Sequence, residues 1–123
     1  MAGTFAVGVL AGAALMFVLL KLFARRTLDD VAADVCSWAD WQFGATTPEA
    51  KVDHLVREAI ELSGDPRDPE EMADVFSLLV HLAHVTGTDL RAAVDAKLLK
   101  NRLRAWAAPD EAGVIEHVRE PGA

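Results

Sequence analysis

Residues 54–74, HLVREAIELSGDPRDPEEMAD, decide the fold and point to the chemistry, because they place two short acidic pairs, Glu58/Glu61 and Glu71/Asp74, on either side of a break rich in proline. Residues three apart on a helix sit about 60° apart on one face. Each pair therefore turns both carboxylates one way. Downstream, Val75, Phe76, Leu78, Leu79, Leu82 and Val85 define an apolar stripe in which Glu71 falls inside and Asp74 at the edge. An ionised carboxylate facing a core is costly without a strong partner. Four oxygen donors converging from two helices suit a hard cation, Mg²⁺ or alternatively Mn²⁺.

The same residues carry a plainer reading. Asp68-Pro69-Glu70-Glu71 is also a helix start, with Asp68 as N-cap, Pro69 in the first helical position and Glu71 as the third residue of a capping box. Capping accounts for Glu71 but for neither Asp74 nor the matched pair upstream, so a metal cage of Glu58, Glu61, Glu71 and Asp74 is the expectation.

Outward from this core the chain reads as helices. Thr27 caps a helix over about Leu28–Gln42, with Leu28, Val31, Val35 and Trp38 on one side, ended by Phe43-Gly44. Thr47-Pro48-Glu49 starts a second, which stops near Ser63-Gly64. The third runs from Pro69 to about Thr86, with Gly87 just beyond it. Thr88 or Asp89 starts a fourth that is expected to end before Pro109. Four helices with short links predict an all-α, antiparallel four-helix bundle. In the tail, Val114-Ile115 is an apolar patch suited to docking as an extended strand.

The run from Trp38 to Trp106, with W-x-x-x-Q-F-G, H-L-x-x-E-x-x-E-L, D-P-x-D-P-E-E-M-A-D and K-L-x-x-N-R-x-R-x-W, resembles the MazG-like all-α nucleoside triphosphate pyrophosphohydrolases. It looks most similar to the subgroup of dATP/dGTP pyrophosphohydrolase N-terminal domains. The resemblance implies Mg²⁺-dependent cleavage of a nucleoside triphosphate to the monophosphate and pyrophosphate, with the four acids as metal ligands. The link between the acid pairs is short compared with the wider MazG group, which leaves pocket shape and base preference open.

Further candidates follow from position. Lys97, Asn101 and Arg104 fall within about 60° of one another on the fourth helix, where their heads can reach triphosphate oxygens or pair with the acidic bundle. Trp38 and Gln42 can stack on and hydrogen-bond a nucleobase. His54, one turn before Glu58, can orient that carboxylate. Glu61 is the expected general base for the attacking water. His81 and His84 raise a di-iron site, but bundle di-iron sites use E-x-x-H, which this chain lacks. Ser63 and Cys36 have no visible nucleophile-activating partners.

Composition supplies the remaining expectations. At 123 residues the chain allows one small domain. From Ala2 to Leu20 no charged side chain occurs, and Lys21, Arg25 and Arg26 follow, which predicts a transmembrane helix with the following domain on the cytoplasmic side. The expected organisation is a membrane anchor over 1–26, a helical domain over 27–108 and a tail over 109–123. Gly8 and Gly12 form a G-x-x-x-G that can bring two such helices together, and a homo-oligomer is expected. All 19 acids but only 9 of the 12 basic residues lie beyond Arg26, so that part carries −10 against −7 for the whole. Such a field disfavours nucleic acid as a partner. The rival to an enzyme is a membrane-tethered helical module that binds a protein or nucleotide without turnover.

Overall fold

The computed structural model describes Met16 and residues 26–119. Residues 26–119 hold four helices, α1 (Leu28–Phe43), α2 (Pro48–Gly64), α3 (Pro69–Val85) and α4 (Leu90–Arg102). Each starts at a residue whose side chain accepts a hydrogen bond from an otherwise unpaired backbone N–H of the first turn: Thr27, Thr47, Asp68 and Asp89. Thr27 and Asp30 form a reciprocal capping box. Proline opens α2 and α3, where its missing N–H costs nothing. Gly44 and Gly87 end α1 and α3 at φ +65°, a conformation that penalises any Cβ.

Packing centres on α3, which lies against both α2 and α1, while α4 is docked extensively on none of them. The buried apolar residues are Ala39 of α1 and Leu78, Val80 and Ala83 of α3. The buried face of α3 is therefore turned from the expected stripe: Leu79 is 41% exposed, whereas Val80 and the ring of His81 are enclosed. Two helices packing on α3 from different sides, rather than one, move its core-facing stripe.

The fourth helix stops at Arg102, before Pro109 as expected. Its last carbonyls, of Lys100 and Asn101, accept from Leu103 and Arg104 N–H, and the Trp106 indole N–H also donates to the Asn101 carbonyl. Beyond it, residues 105–107 pair with 116–118 through an isolated antiparallel bridge, Trp106 to His117, closed by a turn with Gly113 at φ +81°. The tail thus pairs with the segment that follows α4, and Val114 and Ile115 stay half exposed at 52% each instead of docking on the bundle.

The expected single-pass membrane protein does not stand. No helix among the described residues is long and apolar enough to cross a membrane. The longest, at 17 residues, rise about 26 Å, short of a hydrocarbon core of ~30 Å, and they carry charges along their length. The segment Ala2–Leu20 expected to span lies, apart from Met16, outside the described residues. The cytoplasmic placement rested on that span and is withdrawn with it.

Candidate active site

Where α2 runs beside α3, Glu58, Glu61 and Glu71 each bring a carboxylate oxygen within 4.8 Å of the others. The turn of the helix sets the first two on one side of α2, and the tight connection through Asp65–Asp68 sets the start of α3 opposite them. Asp74 is not a member of this convergent set. It lies one turn further along α3, exposed, and lines a neighbouring cavity together with Glu58.

Glu71 decides between capping and coordination. The Asp68 side chain accepts from Glu70 N–H at 2.8 Å, and Asp68 N–H itself donates to the Asp65 carbonyl at 3.0 Å. No capping box forms on α3, so the Glu71 carboxylate is not spent on the helix start. Its Oε2 is buried without any hydrogen-bond partner. Desolvation first, then the charges of Glu61, Asp68, Glu58 and Asp74, push its pKa above the ordinary carboxylate value. Crowded acids with a buried, unpaired oxygen are what a divalent cation relieves, and the donor set, all carboxylate, suits Mg²⁺ or Mn²⁺. On this ground the residues fit such an ion.

His54 stands where it can orient this set: its Nε2–H donates to Glu58 Oε1 at 2.8 Å, one helical turn apart. The Glu58 side chain is 15% exposed, so the bond is sheltered on the carboxylate side.

The cavity beside Glu58, about 170 Å³, is lined by Trp38, Phe43, Lys51, His54, Asp74 and His81 among others. Trp38 and Phe43 meet edge to face, ring centroids 5.4 Å apart, and Lys51 Nζ sits 5.3 Å from the Phe43 centroid. The cavity thus joins acidic side chains, which can take a cation, to aromatic faces, which can take a flat apolar group. Gln42 is exposed on α1 and does not line this cavity. Lys97, Asn101 and Arg104 line it no more than Gln42 does. Arg104 Nη1 donates to Asn101 Oδ1 at 3.4 Å, and the charges of Arg104 and Lys97 both lower the pKa of tail His117, Arg104 being the largest cause. Arg104, expected on the fourth helix, lies beyond its end at Arg102.

The thiol and hydroxyl candidates are inert. Cys36 Sγ donates to the Val80 carbonyl at 3.6 Å and its pKa is raised by burial, with the Asp40 charge adding to it. Ser63 Oγ donates to the Ile60 carbonyl at 2.6 Å. Sequence reasoning missed Lys51, buried at 7% exposure, and Asp40, which accepts from His81 Nε2–H at 3.0 Å and His84 Nε2–H at 2.8 Å. The H-x-x-H spacing of the two histidines was the only trace of that contact in the sequence.

Known proteins resemble this chain in sequence and fold. The sequence model of the dATP/dGTP pyrophosphohydrolase family matches residues 31–123. A dATP/dGTP diphosphohydrolase of Cyanophage S-2L is 34% identical over 94 residues, covering 75% of this chain and 89% of that protein. Another dATP/dGTP diphosphohydrolase, from Salmonella phage PMBT28, is 31% identical over 103 residues, 83% of this chain, which spans only 35% of that longer protein. Among solved structures, the Cyanophage S-2L MazG-like pyrophosphohydrolase bound to dGDP and three catalytic Mn²⁺ ions per active site matches with a TM-score of 0.68 and 33% identity, over 77% of this chain and all of that one. The chain belongs to the dATP/dGTP pyrophosphohydrolase family of MazG-like enzymes.

Proposed function

We propose that this chain hydrolyses a purine deoxynucleoside triphosphate, dATP or dGTP, to the monophosphate and pyrophosphate at the acidic site between α2 and α3. The observation that carries the reading is the convergence of Glu58, Glu61 and Glu71 beside a cavity walled by Trp38 and Phe43. The family match and the dGDP- and Mn²⁺-bound relative support it.

Glu58, Glu61 and Glu71 would hold divalent metal, Mg²⁺ or Mn²⁺, with Asp74 one turn along α3 as a further ligand. When bound, the metal neutralises phosphate charge and lowers the pKa of a water. The chain's own residues do the rest. His54 fixes the Glu58 carboxylate through its Nε2–H, Glu61, the exposed member of the set, takes the proton of the attacking water, and Trp38 packs on the base. Water adds to the α-phosphorus, the bond to the bridging oxygen breaks, and pyrophosphate leaves. Positioning and charge neutralisation account for most of such catalysis.

The active species is a homo-oligomer in this reading. α4 leaves Val94, Leu98 and Leu99 exposed, as is Leu103 just after it, and a groove of about 690 Å³ runs between α4 and α1 and α3. A second copy covering these surfaces supplies the core that a single chain lacks, and it gives Lys97, Asn101 and Arg104 a route to the triphosphate. The domain reading is a helical hydrolase unit over 27–108 followed by a tail over 109–123, of which residues 116–118 pair with 105–107.

Pyrophosphate release from a panel of ribo- and deoxynucleoside triphosphates, each with Mg²⁺, with Mn²⁺ and with chelator, tests the proposal. The expected result is metal-dependent release from dATP or dGTP. Release of inorganic phosphate instead, or turnover unaffected by chelator, would refute it. Sedimentation equilibrium tests the assembly, for which a monomer at micromolar concentration is the contrary result.

A further inference from the structure

We propose that Lys51 selects guanine: its ammonium donates a hydrogen bond to O6 of a base lying against Trp38 and Phe43, so that the chain uses dGTP in preference to dATP. This rests on the reading that the cavity beside Glu58 holds the nucleotide.

Lys51 stands where a lysine is least expected. It is 7% exposed, and lysine is almost never enclosed unless it is paired. Its place one turn into α2, toward the positive end of the helix, gives a cation no help. No carboxylate among the described residues forms an ion pair with it, although Glu58 and Asp74 line the same cavity. The contact its charge does make is with the Phe43 ring, whose centroid lies 5.3 Å from Nζ. A contact of that kind offsets only part of the cost of taking an ammonium out of water.

The ammonium is nevertheless within reach of a ligand. Glu71 Oε2 and His81 Nδ1 are sealed in without a partner, whereas Lys51 Nζ, which also lacks a hydrogen bond among the described residues, is not sealed and keeps accessible surface. That surface belongs to a residue of the cavity wall and lies by a ring of the same wall. Unfilled donors are thus presented at the aromatic end of the cavity.

Position along α2 decides which part of a nucleotide these donors meet. Lys51, His54 and Glu58 follow one another on one face, and seven residues of helix separate the Lys51 and Glu58 backbones by about 10 Å. Helical side chains lean toward the amino terminus, away from Glu58, and the Phe43 contact holds Nζ there. With the phosphates at the acids, the group at that remove is the base.

A lysine ammonium carries three N–H donors and no acceptor. Guanine turns two acceptors, O6 and N7, to one edge, and adenine replaces O6 by an amino donor. Guanine therefore fills the ammonium, while adenine sets donor against donor. Discrimination from such a pairing is about ten- to a hundredfold in kcat/KM.

The test measures kcat/KM for dGTP, dITP and dATP at fixed Mn²⁺. Hypoxanthine keeps O6 and N7 and lacks the 2-amino group, so wild type should use dITP like dGTP and favour both over dATP by that factor, chiefly through KM. Lys51→Met, which keeps the apolar stem and removes the charge, should bring the dGTP to dATP ratio within about threefold of one. Lys51→Arg, which restores N–H donors, should recover part of the preference. An unchanged ratio in Lys51→Met, including a proportional fall for all three substrates, would overturn the proposal and make Lys51 a phosphate or packing residue. Should Lys51→Met fold poorly, wild type alone still decides, since dITP used as poorly as dATP, or dGTP and dATP used equally, would overturn it as well. Failure of the hydrolase reading would appear separately, as no turnover of any of the three by wild type, and calorimetric binding of dGTP against dATP would then carry the same comparison, equal affinities overturning the proposal.

Discussion

Replacing Glu58 by glutamine changes one charge and almost no shape, and the structure allows its effect to be worked through. The side-chain carbonyl of the new amide can still accept from His54, so the contact at 2.8 Å persists and the metal-free protein should melt no lower than wild type. With three carboxylate oxygens within 4.8 Å of one another, removing one negative charge also relieves repulsion. Metal binding behaves oppositely. Loss of one charged contact is worth about 1.5 to 3 kcal/mol, which at the upper end weakens Mn²⁺ affinity about a hundredfold. At a concentration a hundred times the wild-type Kd, metal stabilises wild type by about 2.7 kcal/mol, and the variant by only about 0.4 kcal/mol. For a domain of this length that is a rise in Tm of roughly 10 to 20 °C against about 2 to 3 °C. Thermal melts with a Mn²⁺ titration, run beside pyrophosphate release, measure both. A variant that keeps the full metal-induced rise, or wild-type turnover at saturating metal, would remove Glu58 from the metal site.

Three more outcomes follow from named contacts. His54→Ala should weaken metal affinity or activity about tenfold or more while leaving the Tm of the metal-free protein nearly unchanged, read by the same titration, since its role is to orient Glu58. The Asp40 carboxylate is held below the ordinary aspartate value, first by the hydrogen bond from His81 and then by that from His84. Stability from this contact is therefore complete above the ordinary aspartate range and is lost as pH falls through the lowered value, so urea melts between about pH 2 and 6 should show a shallower acid slope in Asp40→Asn. Leu78→Ala, at a buried position of α3 that also lines the cavity, should destabilise by about 2 to 5 kcal/mol in urea unfolding.

Local rules made much of this protein legible in its sequence. Caps, prolines and glycines act within a few residues, so Thr27, Thr47, Pro48, Pro69 and Gly87 fixed where the helices begin and end, apart from α4, whose end is set by Trp106 reaching back to the Asn101 carbonyl. Helical periodicity likewise paired Glu58 with Glu61, and chain order placed Glu71 just across a short turn. Tertiary structure alone decided which apolar residues of α3 are enclosed, because that depends on the two directions from which α1 and α2 approach. It also decided that Glu71 is free of its helix cap, that Asp74 stands outside the closest acidic set, and that the charges of Lys97 and Arg104 act on the tail at His117. The meeting of Asp40 with His81 and His84 spans more than forty residues of chain, and no local pattern records it. An apolar stretch near the amino terminus, read by hydropathy alone, suggested a membrane span, whereas the helices described are short and amphipathic and are built to pack on one another.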